Sequence, residues 1–363
     1  MGIAIANPVL STWLVSFALL IALIVSAKKE NEAEAFSPRL TQELKGLAIL
    51  AIIFSHIGYF LASDHQFLFP LSIMAGVGVN IFLFLSGFGL TASALARERT
   101  SREFYLRHLP KLFAPLWIAL ALFLALDFFV LHISYDWQYI MRSFLGFFPS
   151  ADLYTDIDSP LWYFTLAFFY YLLFPIIFIK KKPWLSAFLI YAIVESARLL
   201  SGHALDAVAR LYSLHMLAFP LGMLFAWTLS APSPVLSLIT RLRKMARTAR
   251  HALTATLLIP VCYFAYFSGV GGTVMQEQSI SILVVALLVL IFIIKQTRFG
   301  ILYLFGIYSY EIYLLHWPIL YRYDALYKNL PAWLATILYL IAFLGIAYAM
   351  RSALHLMADT RSR

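Results

Sequence analysis

Charge is scarce in this chain: aspartate, glutamate, lysine and arginine make up 12% of its 363 residues, against about a quarter in ordinary soluble domains. The deficit excludes a soluble fold. Apolar residues are 62% of the sequence, more than a core of this size can hide, so the surplus must face lipid. Cysteine is nearly absent, and the single Cys262, inside an apolar run, excludes a disulfide framework and any thiolate zinc cluster. The nine histidines are dispersed without ligand spacing, so no metal is expected. Internal repeats of the transporter kind and low-complexity segments are also missing. The net charge of +9 sits in short segments between apolar runs, which points to a membrane surface and not to nucleic acid.

Long hydrophobic runs are what the chain has in quantity. A membrane-spanning helix needs about 17 to 25 predominantly apolar residues, and candidate spans fall at 9–27, 44–62, 71–95, 112–131, 161–179, 184–200, 211–229, 252–268, 279–294, 300–321 and 332–350. None alternates as a barrel strand would, so the expected fold is all-α, a polytopic transmembrane helical bundle of about eleven spans. Met1 to Ala27 has no basic leading region and an apolar run too long for a signal peptide, so it is expected to stay as the first span. The segments follow one another with short polar gaps, which gives a single membrane domain over 1–363.

Lysine and arginine in short connections mark the cytoplasmic face. Lys28, Lys29 and Arg39 follow span one; Arg97, Arg99, Arg102, Arg107 and Lys111 follow span three; Lys180, Lys181 and Lys182 follow span five. Arg241, Arg243, Lys244, Arg247 and Arg250 follow span seven, Lys295 and Arg298 follow span nine, and Arg351, Arg361 and Arg363 end the chain. Of the intervening connections, 63–70 and 269–278 hold none, 132–160 holds Arg142 alone, and Arg322 with Lys328 follow span ten. This alternation predicts an N-terminus outside and a C-terminus in the cytoplasm. The connection 132–160, with Asp136, Asp152, Asp156 and Asp158 among aromatics, is the longest outer one. It is either a solvated loop or the cover of a site that opens outward.

Ionisable groups inside spans are costly in lipid and mark candidate sites. His56 is the clearest. Eleven helical steps from Lys45, at about 1.5 Å each, put it about 16 Å deeper, near the bilayer midplane. An imidazole there either links helices by a hydrogen bond or, since it titrates near neutrality, moves a proton between a hydroxyl and a leaving group. Glu195 and Arg198, three residues apart in span six, are expected to satisfy each other as an ion pair.

The order of short motifs around His56 is more specific. Lys45-x10-His56 is followed by Gly78-Val-Asn-Ile-Phe-Leu-Phe-Leu-Ser86-Gly87-Phe88, then by Arg107 and Lys111 in Phe104-Tyr-Leu-Arg-His-Leu-Pro-Lys, then by Leu161-Trp162-Tyr163. Ser309-Tyr310-Glu311-Ile-Tyr313-Leu-Leu-His316-Trp317-Pro318 closes the set. Together these resemble the acyltransferase-3 family of integral membrane acyltransferases, from about Arg39 to about Met350. On that resemblance residues 39–350 are a ten-helix acyltransferase core, and residues 1–30 are an extra N-terminal helix.

The resemblance implies transfer of an acyl group, commonly acetyl from acetyl-CoA, to a hydroxyl of a glycan or lipid-linked saccharide in the bacterial cytoplasmic (inner) membrane. His56 then takes the place of the catalytic histidine and Lys45 that of the base at its cytoplasmic entrance. Arg107 and Lys111 join Lys45 in holding the acyl-CoA donor, whose phosphates suit cations at the inner face. Ser86, Trp162, Tyr310, Glu311 and His316 are the expected acceptor-side residues. His316 lies about 27 Å along its helix from Arg298, close to the outer boundary, where it meets the acceptor or anchors the interface beside Trp317. Gln42, with Glu43 one step on, stands where many relatives carry an aspartate. Direct transfer and relay through an acyl-enzyme on Ser55 or His56 both stay open, as does a homo-oligomer. The rival functions are a transporter or flippase of a small metabolite or lipid-linked sugar and a scaffold in a polysaccharide-export assembly.

Overall fold

The computed structural model describes residues 2–29, 36–201, 205–269 and 271–360, with side chains to residue 356. Arg361 and Arg363 of the predicted basic tail lie outside the described residues. Helix starts follow from local chemistry. Pro8 opens α1 (Pro8–Ser26). The Ser37 hydroxyl accepts from the Leu40 amide and Pro38 fills the first turn of α2 (Pro38–Ser55), since a proline at that position forfeits no helical hydrogen bond. Met74 precedes α3 (Ala75–Ala96). Thr100 and Glu103 form a reciprocal capping box at the start of α4 (Ser101–Leu126).

A short helix α5 (Trp137–Phe144), capped by Asp136, lies in the predicted outer connection. It is followed by α6 (Trp162–Ile177), α7 (Pro183–Leu200), α8 (Asp206–His215), α9 (Ala218–Ser230), α10 (Pro234–Lys244) and α11 (Arg247–Gly269). A second capping box, Thr273 with Gln276, begins α12 (Val274–Ile294). The chain ends with α13 (Gly300–Ile307), α14 (Ser309–Tyr321) and α15 (Ala332–Thr360).

Among the described residues, ten helices are long and apolar enough to cross a membrane. The remaining predicted span, 300–321, is helical but breaks at Tyr308 into α13 and α14. The fourth span starts earlier than its apolar run: the capping box sets α4 in motion at Ser101, so Arg102, Arg107 and Lys111 ride on a helix and not in a loop. Arg241, Arg243 and Lys244 likewise belong to α10, and Arg247 and Arg250 to α11.

Three contacts fix which ends share a face. Strand β1 (Ala27–Lys29) pairs antiparallel with β2 (Thr297–Phe299), so the end of α1 and the start of α13 lie together. Ile3 bridges Ala62, which joins the N-terminus to the far end of α2. Arg322, after α14, is salt-bridged to Asp127 and donates to the Asp156 carbonyl at 2.5 Å. The faces so defined are the two that the basic residues separate.

The middle of the bundle is α2, held between α3 and α13. A Cβ on Gly46 would stand 1.8 Å from the Leu302 carbonyl oxygen, and one on Gly306 would stand 1.8 Å from that of Gln42. Only glycine permits so close a crossing, a common device where lipid gives helices no hydrophobic reason to associate. Buried Leu44, Ala48, Ile49 and Ile53 complete the packing of α2. Helix α1 stays largely lipid-facing and rests on α13 and α15.

Candidate active site

Helix α2 widens at its far end into a π-helical turn, His56–Leu61. Such turns re-aim a side chain that a regular helix would bury. Here it brings His56 Nδ1 to 2.7 Å from His316 Nε2 of α14. The rings are within 7° of parallel with centroids 4.9 Å apart, the spacing of two imidazoles that share an in-plane bond. His316 Nδ1 faces two carbonyl oxygens, of Ile312 at 3.0 Å and of Tyr313 at 2.9 Å. A carbonyl only accepts, so Nδ1 of His316 carries the proton and its Nε2, in the neutral ring, must accept. His56 therefore donates from Nδ1, which leaves its Nε2 unprotonated.

His56 lines a cavity of about 640 Å³ together with Ser55, Tyr59, Phe60, Trp162, Tyr163, Tyr313 and Trp317. Its rim, between α8 and α12, carries the ion pair Arg210–Glu277 at 2.8 Å. The lining residues Tyr59, Gly76, Ala151, Tyr163, Gly269 and Glu277 belong to the face opposite β1 and β2. A second imidazole enters it. His215 Nδ1 meets Asn80 Oδ1 at 2.9 Å, Asn80 Nδ2 donates to Ser281 Oγ at 2.8 Å, and Trp162 stacks on the His215 ring at 5.5 Å. The carboxamide oxygen fixes the His215 proton on Nδ1 and leaves Nε2 as an acceptor.

A sequence profile described as "Acyltransferase domain", Acyl_transf_3, matches residues 44–352. The chain belongs to the acyltransferase-3 family. It is accordingly an integral membrane acyltransferase. No curated protein and no solved structure matches the chain in the same comparisons.

Of the predicted site residues, the structure brings His56, Ser55 and Trp162 to the cavity. The Ser55 hydroxyl accepts from the Ala75 amide at 3.0 Å, and among the described residues no imidazole is hydrogen-bonded to it. His316 is fully buried and stands behind His56 without lining the cavity. The expected depths explain the difference. Lys45 is not at the start of its helix but seven residues inside α2, about 10 Å further in. Counted from Pro38, His56 lies about 27 Å along, the same distance that separates His316 from Arg298, which lets the two rings meet.

The remaining predicted site residues lie elsewhere. Tyr310 donates to the Leu112 carbonyl at 2.6 Å, and Glu311 takes Arg351 bidentately at 2.8 and 2.6 Å. Ser86 lies beside Tyr171 between α3 and α6. Glu43 turns to Lys295 at 2.6 Å, while half-buried Lys45 has Arg351 as its charged neighbour. Arg107 and Lys111 are exposed along α4. Glu195 and Arg198 form the expected pair at 2.7 Å.

Sequence reasoning passed over His215 and Asn80, although the cost of polar groups inside spans applies to both. It counted Arg322 among the connection charges, left the aspartates of 132–160 as either a solvated loop or the cover of a site, and passed over Asp127. Asp127 accepts from Tyr135 at 2.6 Å and is salt-bridged to Arg322, in a buried network that ties α4, the outer connection and α14 together. Asp158 is buried beside it, with neither carboxylate oxygen hydrogen-bonded among the described residues. Burial pushes its carboxyl well above the usual range, against the opposing pull of Arg322.

Proposed function

We propose that the protein is an O-acyltransferase of the bacterial cytoplasmic membrane that moves an acyl group, acetyl in the simplest case, from cytosolic acyl-CoA to a hydroxyl of a glycan or lipid-linked saccharide. The observation that carries this is the protonation order of the histidine pair: carbonyl oxygens fix His316, His316 fixes His56, and His56 Nε2 is left as a base in a cavity. An acceptor hydroxyl gives its proton to Nε2 as its oxygen attacks the thioester carbon. The carbon–sulfur bond then breaks, and the imidazolium returns the proton to the departing thiolate. In between, His316 Nε2 accepts from the imidazolium and stabilises it. Direct transfer is favoured over relay through Ser55, whose hydroxyl lacks a base.

The acceptor side is supported by the lining of the large cavity. Indole and phenol rings offer flat apolar faces to a sugar, while Arg210, Glu277 and His215 supply polar partners for its hydroxyls. The donor side is supported by Lys45, Arg107 and Lys111 on the basic face, where coenzyme A phosphates would be met. General-base help is typically worth about 10² to 10⁴ in rate. His56→Gln keeps hydrogen bonding but cannot take the proton, so it should lose that factor with acyl-CoA binding intact. Near-normal turnover by a well-folded His56→Gln returns His56 to a packing role.

A further inference from the structure

A second cavity, of about 300 Å³, opens on the basic face between the ends of α3, α4 and α6. We infer that it is the subsite for the adenosine 3′-phosphate 5′-diphosphate end of the thioester donor; the inference rests on the acyl-CoA reading above and adds a place for the part of the donor remote from chemistry. Three cations border it, Arg97, Arg99 and Lys180. Arg99 donates to Ser93 at 2.7 Å, which holds its guanidinium at the wall. Lys180 pairs with Glu98 at 3.1 Å, but both side chains are largely solvated, at 43% and 82% exposure. So weak a pair yields readily to phosphate.

The other wall is aromatic. Phe178, Phe174, Phe104 and His108 form a column, with successive centroids 4.9, 5.8 and 4.2 Å apart and successive rings within 29° of parallel. Such a column offers a purine a stacking surface. His108 Nδ1 is bonded to the Phe104 carbonyl at 2.8 Å, which leaves Nε2 of the neutral ring to accept from an exocyclic amine. Lys111 and Arg107 lie within electrostatic reach of the same imidazole, so the expected donor cations continue this site along α4.

The two cavities lie along one face of α3. Phe82 lines the outer one and Ser93 the inner one, with Ser86 and Gly89 between them at i+4 and i+3 spacing. Gly89 is exposed, and a Cβ there would meet no heavy atom within 4 Å. The distance from Phe82 to Ser93 is about 16 Å, a gap suited to an extended pantetheine arm. A nucleotide held on the basic face then presents its thioester toward His56.

Adenosine 3′,5′-bisphosphate, acetyl-CoA and S-acetyl-pantetheine, which lacks the nucleotide, test this on purified protein. For Arg99→Ala/Lys180→Ala, KM for acetyl-CoA should rise about tenfold or more, with kcat unchanged and S-acetyl-pantetheine kinetics as in the wild type. Equal loss with both donors, or no change with acetyl-CoA, overturns the subsite. Adenosine 3′,5′-bisphosphate should compete with acetyl-CoA and not with S-acetyl-pantetheine. Should the wild type fail to use acetyl-CoA, the donor reading fails. Calorimetry then decides the subsite separately: bisphosphate binding by the wild type but not by the double variant supports it, and no binding overturns it.

Discussion

A histidine in the apolar stretch before Gly58 becomes a base only through what its other nitrogen touches. His316→Phe should keep the ring volume and remove the acceptor that holds the His56 proton. We expect a lower kcat, by up to the about 10² to 10⁴ of general-base help, with little change in KM for either substrate. A matching rise in KM would make His316 a substrate-binding residue. Asp158 tests the outer network. Its carboxyl is held above the usual range by burial, so the folded state binds a proton that the unfolded state releases, and stability falls as pH rises between the two values. Asp158→Asn should therefore melt at a higher temperature than the wild type at pH about 7.5, with the gap closing near pH about 4. A lower midpoint at the higher pH would show that Arg322 dominates instead.

Among elements, the glycine crossing of α2 with α13 sets the height at which His56 meets α14. Gly306→Ala adds a methyl where the Gln42 carbonyl already sits, and overpacking of this kind costs about 1 to 3 kcal/mol. Both membrane abundance and turnover should fall, because α14 follows α13 directly. Unchanged abundance and activity would mean that the crossing gives way without moving the histidines. The tie between α4 and α14 is ionic. Arg322→Leu leaves Asp127 buried with only hydroxyl partners, Tyr135 and Tyr323, and breaking a buried pair costs about 3 to 5 kcal/mol. A large drop in thermal midpoint, with faster proteolysis of the 132–158 connection, is the expected result. A midpoint like that of the wild type would place the network's stability elsewhere.

For the whole molecule, the shared faces of β1 with β2 and of Ile3 with Ala62 leave one binary choice of orientation, and the basic residues predict an N-terminus outside. In a Cys262→Ala background, Ile5→Cys should react with an impermeant thiol reagent from outside, and Met245→Cys only after permeabilisation. The opposite pattern would invert the protein and put the proposed donor cations and the inner cavity on the wrong side for cytosolic coenzyme A.

The sequence by itself determined that the chain is a membrane helix bundle, because no soluble core could hide so many apolar residues. It also determined where most helices run and which histidine to watch, since one imidazole at fixed spacing from a basic residue stands out in an apolar stretch. It left the helix starts open, because counting residues gives distance along a helix but not where that helix begins, and the capping that starts α2 and α4 well before their apolar runs is a weaker signal. Partners lay beyond it altogether. That His56 faces His316 across 260 residues of sequence, that His215 leans on Asn80, and that Arg322 closes on Asp127 depend on which helix faces cross. Those crossings are set by glycine contacts and side-chain packing between segments remote in sequence, and only the tertiary structure holds them.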